Sequence, residues 1–184
     1  MPESKMRTFL LGLTFLTFLF LSSYENTIFF NLLLYEILKN QFLAVGMLFL
    51  HNVLVVSLVL LGMSLYVNLV KSGFFKREKY SQVVLEHPRI FALIFTVIFV
   101  FMSILRGCTL IYGGVSFEAL PTILLVSTPV GLVEGYGIYI TIEKTLSQTL
   151  TTRNLAAIYG IFLAAALLEV AFINALTMAL RLPT

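Results

Sequence analysis

The sequence predicts an all-α, polytopic membrane protein with about five transmembrane helices and one interfacial amphipathic helix. Apolar residues make up 59% of the 184 residues and charged residues only 11%, whereas a soluble domain carries roughly 25% charged residues. Several nearly uncharged stretches approach the roughly 20 residues that a helix needs to cross a bilayer core. The regular alternation of apolar and polar residues that spanning strands require is absent.

A single membrane domain is expected over residues 1–184, with spans at 8–23, 42–70, 90–112, 119–142 and 154–180. The first span follows two basic residues, and no small-residue cleavage site ends it, so we interpret it as a retained helix and not a signal peptide. The second span lies in 30 consecutive residues, 41–70, without an acidic or basic side chain. At about 1.5 Å per residue this is longer than a straight crossing, which predicts a helix that is tilted, extended or broken.

Residues 24–40 have the pattern of an amphipathic helix. Glu25, Asn26, Glu36, Lys39 and Asn40 fall within an arc of about 140° on a helical projection. This favours a helix lying flat in the membrane interface. An ordinary loop helix packed on its neighbours is the alternative.

Charge sets the predicted topology. The loop 71–89 is rich in charged residues, and Pro88 suits the first turn of the next helix. With a cytoplasmic N-terminus, nine of the 12 basic residues fall on the cytoplasmic side, as the positive-inside rule requires. We therefore expect a multi-pass protein of the cell membrane with an external C-terminus. The loop is expected either to lie against the anionic inner leaflet or to be solvated.

Two carboxylic acids lie deep in predicted spans. Glu134 and Glu169 each stand inside long uncharged runs, and an ionisable side chain at mid-bilayer depth costs about 2.5 to 3.5 kcal/mol, so each must face protein or water. His51 and Asn52, in the second span, are candidate partners. Three alternatives stay open: a buried polar network that fixes helix packing, a proton or cation pathway, and a metal site with Glu134, Glu169 and His51 as ligands.

The fourth predicted span carries a proline and closely spaced glycines. Gly131 and Gly135 form a G-x-x-x-G pair, which permits close helix contact. Pro129 removes one backbone hydrogen bond and predicts a kink. Such a helix, with Glu134 beside the glycines, is typical of the discontinuous helices that form midplane sites in transporters.

Three local patterns resemble the stage II sporulation protein M-like family of prokaryotic integral membrane proteins. They are Leu48-Phe49-Leu50-His51-Asn52 with Gly62 ten residues later, Pro129-x-Gly131-x-x-Glu134, and the helix from Ala165 to Asn174 with Glu169. Val130 stands where the family commonly has His, and His51 where the first Asn of a pair is usual. The resemblance implies a multi-helix membrane protein in which Asn52, Pro129, Gly131, Glu134 and Glu169 occupy characteristic positions.

The expected function is that of a non-enzymatic scaffold or partner-binding component of a membrane complex. The chain has no Asp, no zinc-protease helix, no nucleophile elbow and no phosphate-binding glycine loop, which argues against an enzyme. The alternative is a proton- or cation-linked transporter or channel that uses the intramembrane glutamates. Expected partners are the lipid bilayer, further copies of the chain and other membrane proteins, with no nucleic acid. No cofactor is expected apart from a cation at the glutamates.

Overall fold

All regular structure in the described part of the chain is α-helical. The computed structural model describes residues 3–33, 40–74, 83–112 and 120–180, and no strand occurs in these ranges. The helices are α1 (Glu3–Leu33), α2 (Gln41–Lys71), α3 (Val83–Glu86), α4 (Pro88–Tyr112), α5 (Leu120–Leu146) and α6 (Thr152–Leu180). The predicted all-α class is therefore confirmed for these residues.

Helix α1 is longer than the first predicted span. It continues without a break past residue 23 to Leu33, so the prediction of a separate helix beginning at residue 24 is wrong. The physical reason is that Ser22 and Ser23 lower helix propensity only slightly, and no Gly or Pro follows them to end the helix. Residues 34–39, the rest of the predicted interfacial segment, lie outside the described residues.

Helix α2 is a single unbroken helix, which excludes the broken form of the second span. Asn40 caps its start by accepting a hydrogen bond from the Leu43 backbone N–H at 3.2 Å. At its end, Gly73 adopts a φ of 74°, and its N–H bonds the Val70 carbonyl while Phe74 N–H bonds Leu69. This arrangement is the Schellman motif, in which glycine is favoured because it has no Cβ.

Helices α4 and α5 largely follow their predicted positions. Pro88 is the first residue of α4, as predicted, and the short helix α3 precedes it within the predicted loop 71–89. Helix α5 runs on through Pro129 without interruption and ends four residues beyond its predicted boundary of 142. Within the described residues α5 is therefore continuous, and the kink expected at Pro129 stays a prediction.

Two helices among the described residues are long and apolar enough to cross a membrane: Gln41–Lys71 and the Thr152–Phe172 part of α6. Shorter apolar stretches lie at Thr8–Ser22 and Pro88–Phe101. The finding rests on length and composition, and the core helix of a soluble protein can meet the same criterion. It supports membrane association but not the predicted count of five spans.

Helices α2, α5 and α6 all pack against one another, while α1 packs on α2 and α4 packs on α5. The main core cluster lies between the three central helices and α4. Its most buried members are Val56, Ala92, Ile142, Leu146, Ile158 and Phe162. The three helices that carry the predicted polar residues therefore form the centre of the structure.

Candidate functional site

Asn52 lies on the buried face of α2. Its side chain is only 7% exposed, and Leu48 and Val56, one helical turn before and after it, are also buried. The neighbouring His51 is half-buried and has at least one interaction partner in the structure. The sequence predicted Asn52 as a buried polar residue, and the structure agrees.

Glu134 and Glu169 lie on the buried faces of α5 and α6. Glu134 is half-buried between Val130 and Ile138, which are both buried four residues away on the same face. Glu169 is half-buried one turn after Ala165 and Ala166, which are fully buried. Each glutamate has at least one interaction partner in the structure. Both carboxyl groups thus lie on the faces that α5 and α6 bury in the core.

Contacts between the helices bring these residues to similar depths. The hydroxyl oxygens of Ser57 and Tyr159 lie 3.0 Å apart, which pairs α2 with α6 at that level. Eleven residues further along α6, Val170 packs in the same cluster as Ala44, which precedes Ser57 on α2, so the two helices are antiparallel. Asn52, five residues before Ser57 on α2, therefore lies near the level of Phe162 on α6.

The contact between α5 and α6 sets the depth of Glu134. A Cβ atom at Gly137 would lie 2.8 Å from the Phe162 ring, which pairs α5 with α6 at that level. Glu134 is three residues away, or about one helical turn. Glu169 lies seven residues beyond Phe162 on α6, about two turns from it. Asn52, Glu134 and Glu169 thus lie within about two helical turns of one another along three helices that are in mutual contact.

Two buried polar atoms lie within about one helical turn of the level of Glu134 and have no hydrogen-bond partner. They are Asn52 Nδ2 and Thr96 Oγ1, the two such side-chain atoms among the described residues. Thr96 faces Gly135, where an added Cβ would lie 3.4 Å from Thr96 Cγ2. A buried polar group without a partner costs about 1 to 3 kcal/mol, so these atoms mark the least satisfied level of the core.

A metal centre receives no support from the geometry. In the described ranges, no group of three or more His, Cys, Asp or Glu side chains could hold a metal ion. The predicted ligand set of Glu134, Glu169 and His51 therefore does not form a three-ligand group in this structure. A cation at the glutamates stays a prediction.

The predicted glycine contacts are present. Added Cβ atoms at Gly131 and Gly135 would lie 3.8 Å and 3.0 Å from the two methyl groups of Val100 on α4. Gly62 faces α1, where a Cβ would lie 3.2 Å from the Phe15 ring. The G-x-x-x-G pair therefore allows α5 to approach α4 closely, and Gly62 does the same between α2 and α1.

Sequence reasoning missed a charged cluster at the other end of the core. Arg89 Nε, at the start of α4, lies 3.7 Å from Glu143 Oε1 near the end of α5, and Lys144 Nζ lies 3.4 Å from Glu143 Oε2. Lys71, at the end of α2, donates a hydrogen bond to Gln148 Oε1. Arg89 and Glu143, like Lys71 and Gln148, are far apart in sequence, and only the packing of the helices brings them together.

Comparison with known proteins adds no further information. No family model matches the chain, and neither the curated proteins nor the solved structures give a match. The resemblance to the stage II sporulation protein M-like family therefore stays a prediction.

Proposed function

We propose that this chain is a multi-pass protein of the cell membrane that acts as a non-enzymatic scaffold or partner-binding component of a membrane complex. In this proposal the polar centre, defined as Asn52, Glu134, Glu169 and His51, fixes the packing of α2, α5 and α6. The observation that carries it is the position of three of these residues within about two helical turns of one another on three helices in mutual contact. Interhelical polar contacts of this kind stabilise membrane helix bundles.

Exposed apolar surface supports the placement in a membrane. Only 22% and 28% of the most apolar windows of α2 and α6 are buried, whereas the core helix of a soluble protein is mostly buried. Helix α4 also presents exposed apolar residues between Ile90 and Phe101, among them Leu93 and Val97. A surface of this kind suits lipid and not water.

The proposed topology uses the five long helices as five spans. They contain 25 to 31 residues, and at about 1.5 Å per residue each exceeds a bilayer core of about 30 Å. Lys71, Arg89, Lys144 and Arg153 lie at the end of α2, the start of α4, the end of α5 and the start of α6. Placing this end in the cytoplasm satisfies the positive-inside rule. It makes the N-terminus cytoplasmic and the C-terminus external.

Substitutions at Glu134 test the structural role of the polar centre. Glu134→Gln keeps a hydrogen-bonding side chain of the same shape, so we expect normal expression and assembly. Glu134→Leu removes the polar group and should reduce the yield of assembled protein in detergent, measured by size-exclusion chromatography and cross-linking of copies. Leu132→Ala is the control, because Leu132 is 69% exposed on another face of α5. Equal losses of assembled protein from Glu134→Gln and Glu134→Leu would argue against the scaffold.

A proton- or cation-linked transporter or channel is the second candidate. The observation that favours it is the level of Glu134, where Asn52 Nδ2 and Thr96 Oγ1 are buried without hydrogen-bond partners. Polar atoms of this kind can be satisfied by water, and a hydrated path to a carboxyl group can carry protons. Purified protein in liposomes with a pH-sensitive dye should then show flux that Glu134→Gln abolishes and Leu132→Ala leaves intact. Absence of flux with protons and common cations would reject this candidate.

A further inference from the structure

The charged cluster at the cytoplasmic end of the core has more positive than negative charge. Among the helices α2 to α6, the described charged residues at this end are Lys71, Glu86, Arg89, Glu143, Lys144 and Arg153, which leave a net charge of +2. Glu143 is the one acid that both Arg89 and Lys144 approach. One carboxylate therefore faces two cations, so Arg89, Lys144 and Glu143 together retain an excess positive charge.

The geometry of the two cations leaves them able to bind an anion. Arg89 Nε lies 3.7 Å and Lys144 Nζ 3.4 Å from the Glu143 oxygens, which is longer than the roughly 2.8 Å of a close charge-assisted hydrogen bond. The Arg89 side chain is 82% exposed, whereas the Glu143 side chain is 14% exposed. The Glu143 carboxylate is thus mostly covered, the Lys144 side chain is 36% exposed, and the Arg89 side chain is largely exposed.

An exposed apolar surface begins directly beside this charge. Ile90, Leu93, Ile94 and Val97 follow Arg89 along α4, and each is more than half exposed. At 100° per residue these four side chains and Arg89 fall within an arc of about 140° on one side of the helix. A positive group at the end of an apolar strip is complementary to a molecule with an anionic head and hydrocarbon chains.

We propose that this surface binds an anionic phospholipid, with the phosphate between Arg89 and Lys144 and the acyl chains along the exposed face of α4. The proposal rests on the proposed membrane placement, which puts this end of the helices at the inner headgroups. Arginine can bind a phosphate through two parallel N–H groups, and lysine adds a second charge. Glu143 holds the two cations near each other and limits the strength of binding by competing for them.

The test measures lipid binding by native mass spectrometry of the full chain in a non-ionic detergent. Phosphatidylglycerol should bind more tightly than phosphatidylcholine. Because a basic residue at a membrane surface contributes about 1 kcal/mol, Arg89→Gln and Lys144→Gln should each weaken phosphatidylglycerol binding about fivefold. Arg153→Gln is the matched control, since it removes one exposed positive charge from the same end of the protein. An equal loss from Arg153→Gln would indicate general surface attraction and would overturn the site.

A second variant separates lipid binding from a purely structural ion pair. Glu143→Gln removes the competing charge, so phosphatidylglycerol should bind more tightly, by about twofold or more. If Glu143 serves only to hold α4 against α5, the same variant gives no gain. A gain therefore supports the lipid site, and an unchanged or weaker affinity contradicts it. Inorganic phosphate, added as a competitor, should displace the lipid poorly, and displacement at equal concentration would show an anion site without acyl-chain contacts.

Membrane extraction distinguishes a failure of the proposed membrane placement from a failure of the lipid site alone. If alkaline carbonate releases the wild-type chain from cell membranes, the membrane placement itself fails. If the chain stays in the membrane but binds phosphatidylglycerol and phosphatidylcholine equally, only the lipid inference fails.

Discussion

The close contact of Gly137 on α5 with α6 yields a direct test of the packing. At Gly137 an added Cβ would lie 2.8 Å from Phe162 Cε2, 3.0 Å from Cζ and 3.3 Å from Ile161 Cγ2. Phe162 is 2% exposed and belongs to the main core cluster. Its ring cannot turn away into open space, so Gly137→Ala must displace either the ring or the helix backbone.

Two effects of opposite sign determine how much Gly137→Ala changes the free energy of unfolding. Alanine has a higher helix propensity than glycine by about 1 kcal/mol, which stabilises the variant. Overpacking a filled core costs about 1 to 3 kcal/mol, because side chains leave their preferred rotamers. We therefore expect Gly137→Ala to lower the free energy of unfolding by about 1 kcal/mol, with overpacking as the larger of the two effects.

The assay is unfolding of the purified chain in a mild detergent by added denaturing detergent, followed by far-ultraviolet circular dichroism. Gly160→Ala is the control, because no heavy atom lies within 4 Å of its added Cβ, and its stability should be unchanged or higher. Phe162→Leu should partly rescue Gly137→Ala, since the smaller side chain relieves the contact and makes the two changes non-additive. Equal stability of the Gly137→Ala and Gly160→Ala variants, or strict additivity with Phe162→Leu, would refute the reasoning.

Two further predictions concern a buried hydroxyl pair and the ends of α2 and α5. Tyr159→Phe should lower the free energy of unfolding by about 1 kcal/mol, because it leaves the Ser57 hydroxyl without its partner. The double variant with Ser57→Ala should be no less stable than Tyr159→Phe alone. Additive losses of stability would show that the two hydroxyls do not interact. Gln148, with φ of 58°, occupies the position in α5 that Gly73 has in α2. In the same unfolding assay Gln148→Gly should change stability by less than about 1 kcal/mol, because relief of the left-handed conformation offsets the lost contact with Lys71. Gly73→Ala should lose about 1 to 2 kcal/mol, and equal effects at both positions would contradict this account.

The sequence was sufficient to place most of the long helices. Uncharged runs bounded by charge and proline predicted α2 and the start of α4 at Pro88 within one or two residues of their observed positions. The hydrophobicity pattern predicted the wrong end for α1, because the polar residues after residue 23 interrupt the apolar run but not the helix. A helix continues through such a change when no residue in it ends the hydrogen-bonding pattern.

The candidate site could be predicted only as a set of residue types. Isolated glutamates in apolar runs identify residues that need a polar or protein environment, and Asn52, Glu134 and Glu169 do lie on the core-facing sides of their helices. The contacts that set their depths, such as the one between Gly137 and Phe162, join residues distant in sequence. Helical periodicity indicates which face is buried but not which residue of another helix it meets.

In the proposed scaffold, the glycines of α5 give the reason why Glu134 would be central to the packing. Gly131 and Gly135 allow close approach to α4, and Gly137 allows close approach to α6. On a helical projection Glu134 lies between these two faces, about 60° from Gly131 on one side and from Gly137 on the other. Glu134 therefore lies between the two faces through which α5 approaches α4 and α6. An added methyl group at Gly137 should consequently disturb the polar centre together with the core, so Gly137→Ala and Glu134→Leu should show coupled effects on assembly, whereas Gly160→Ala and Glu134→Leu should be additive.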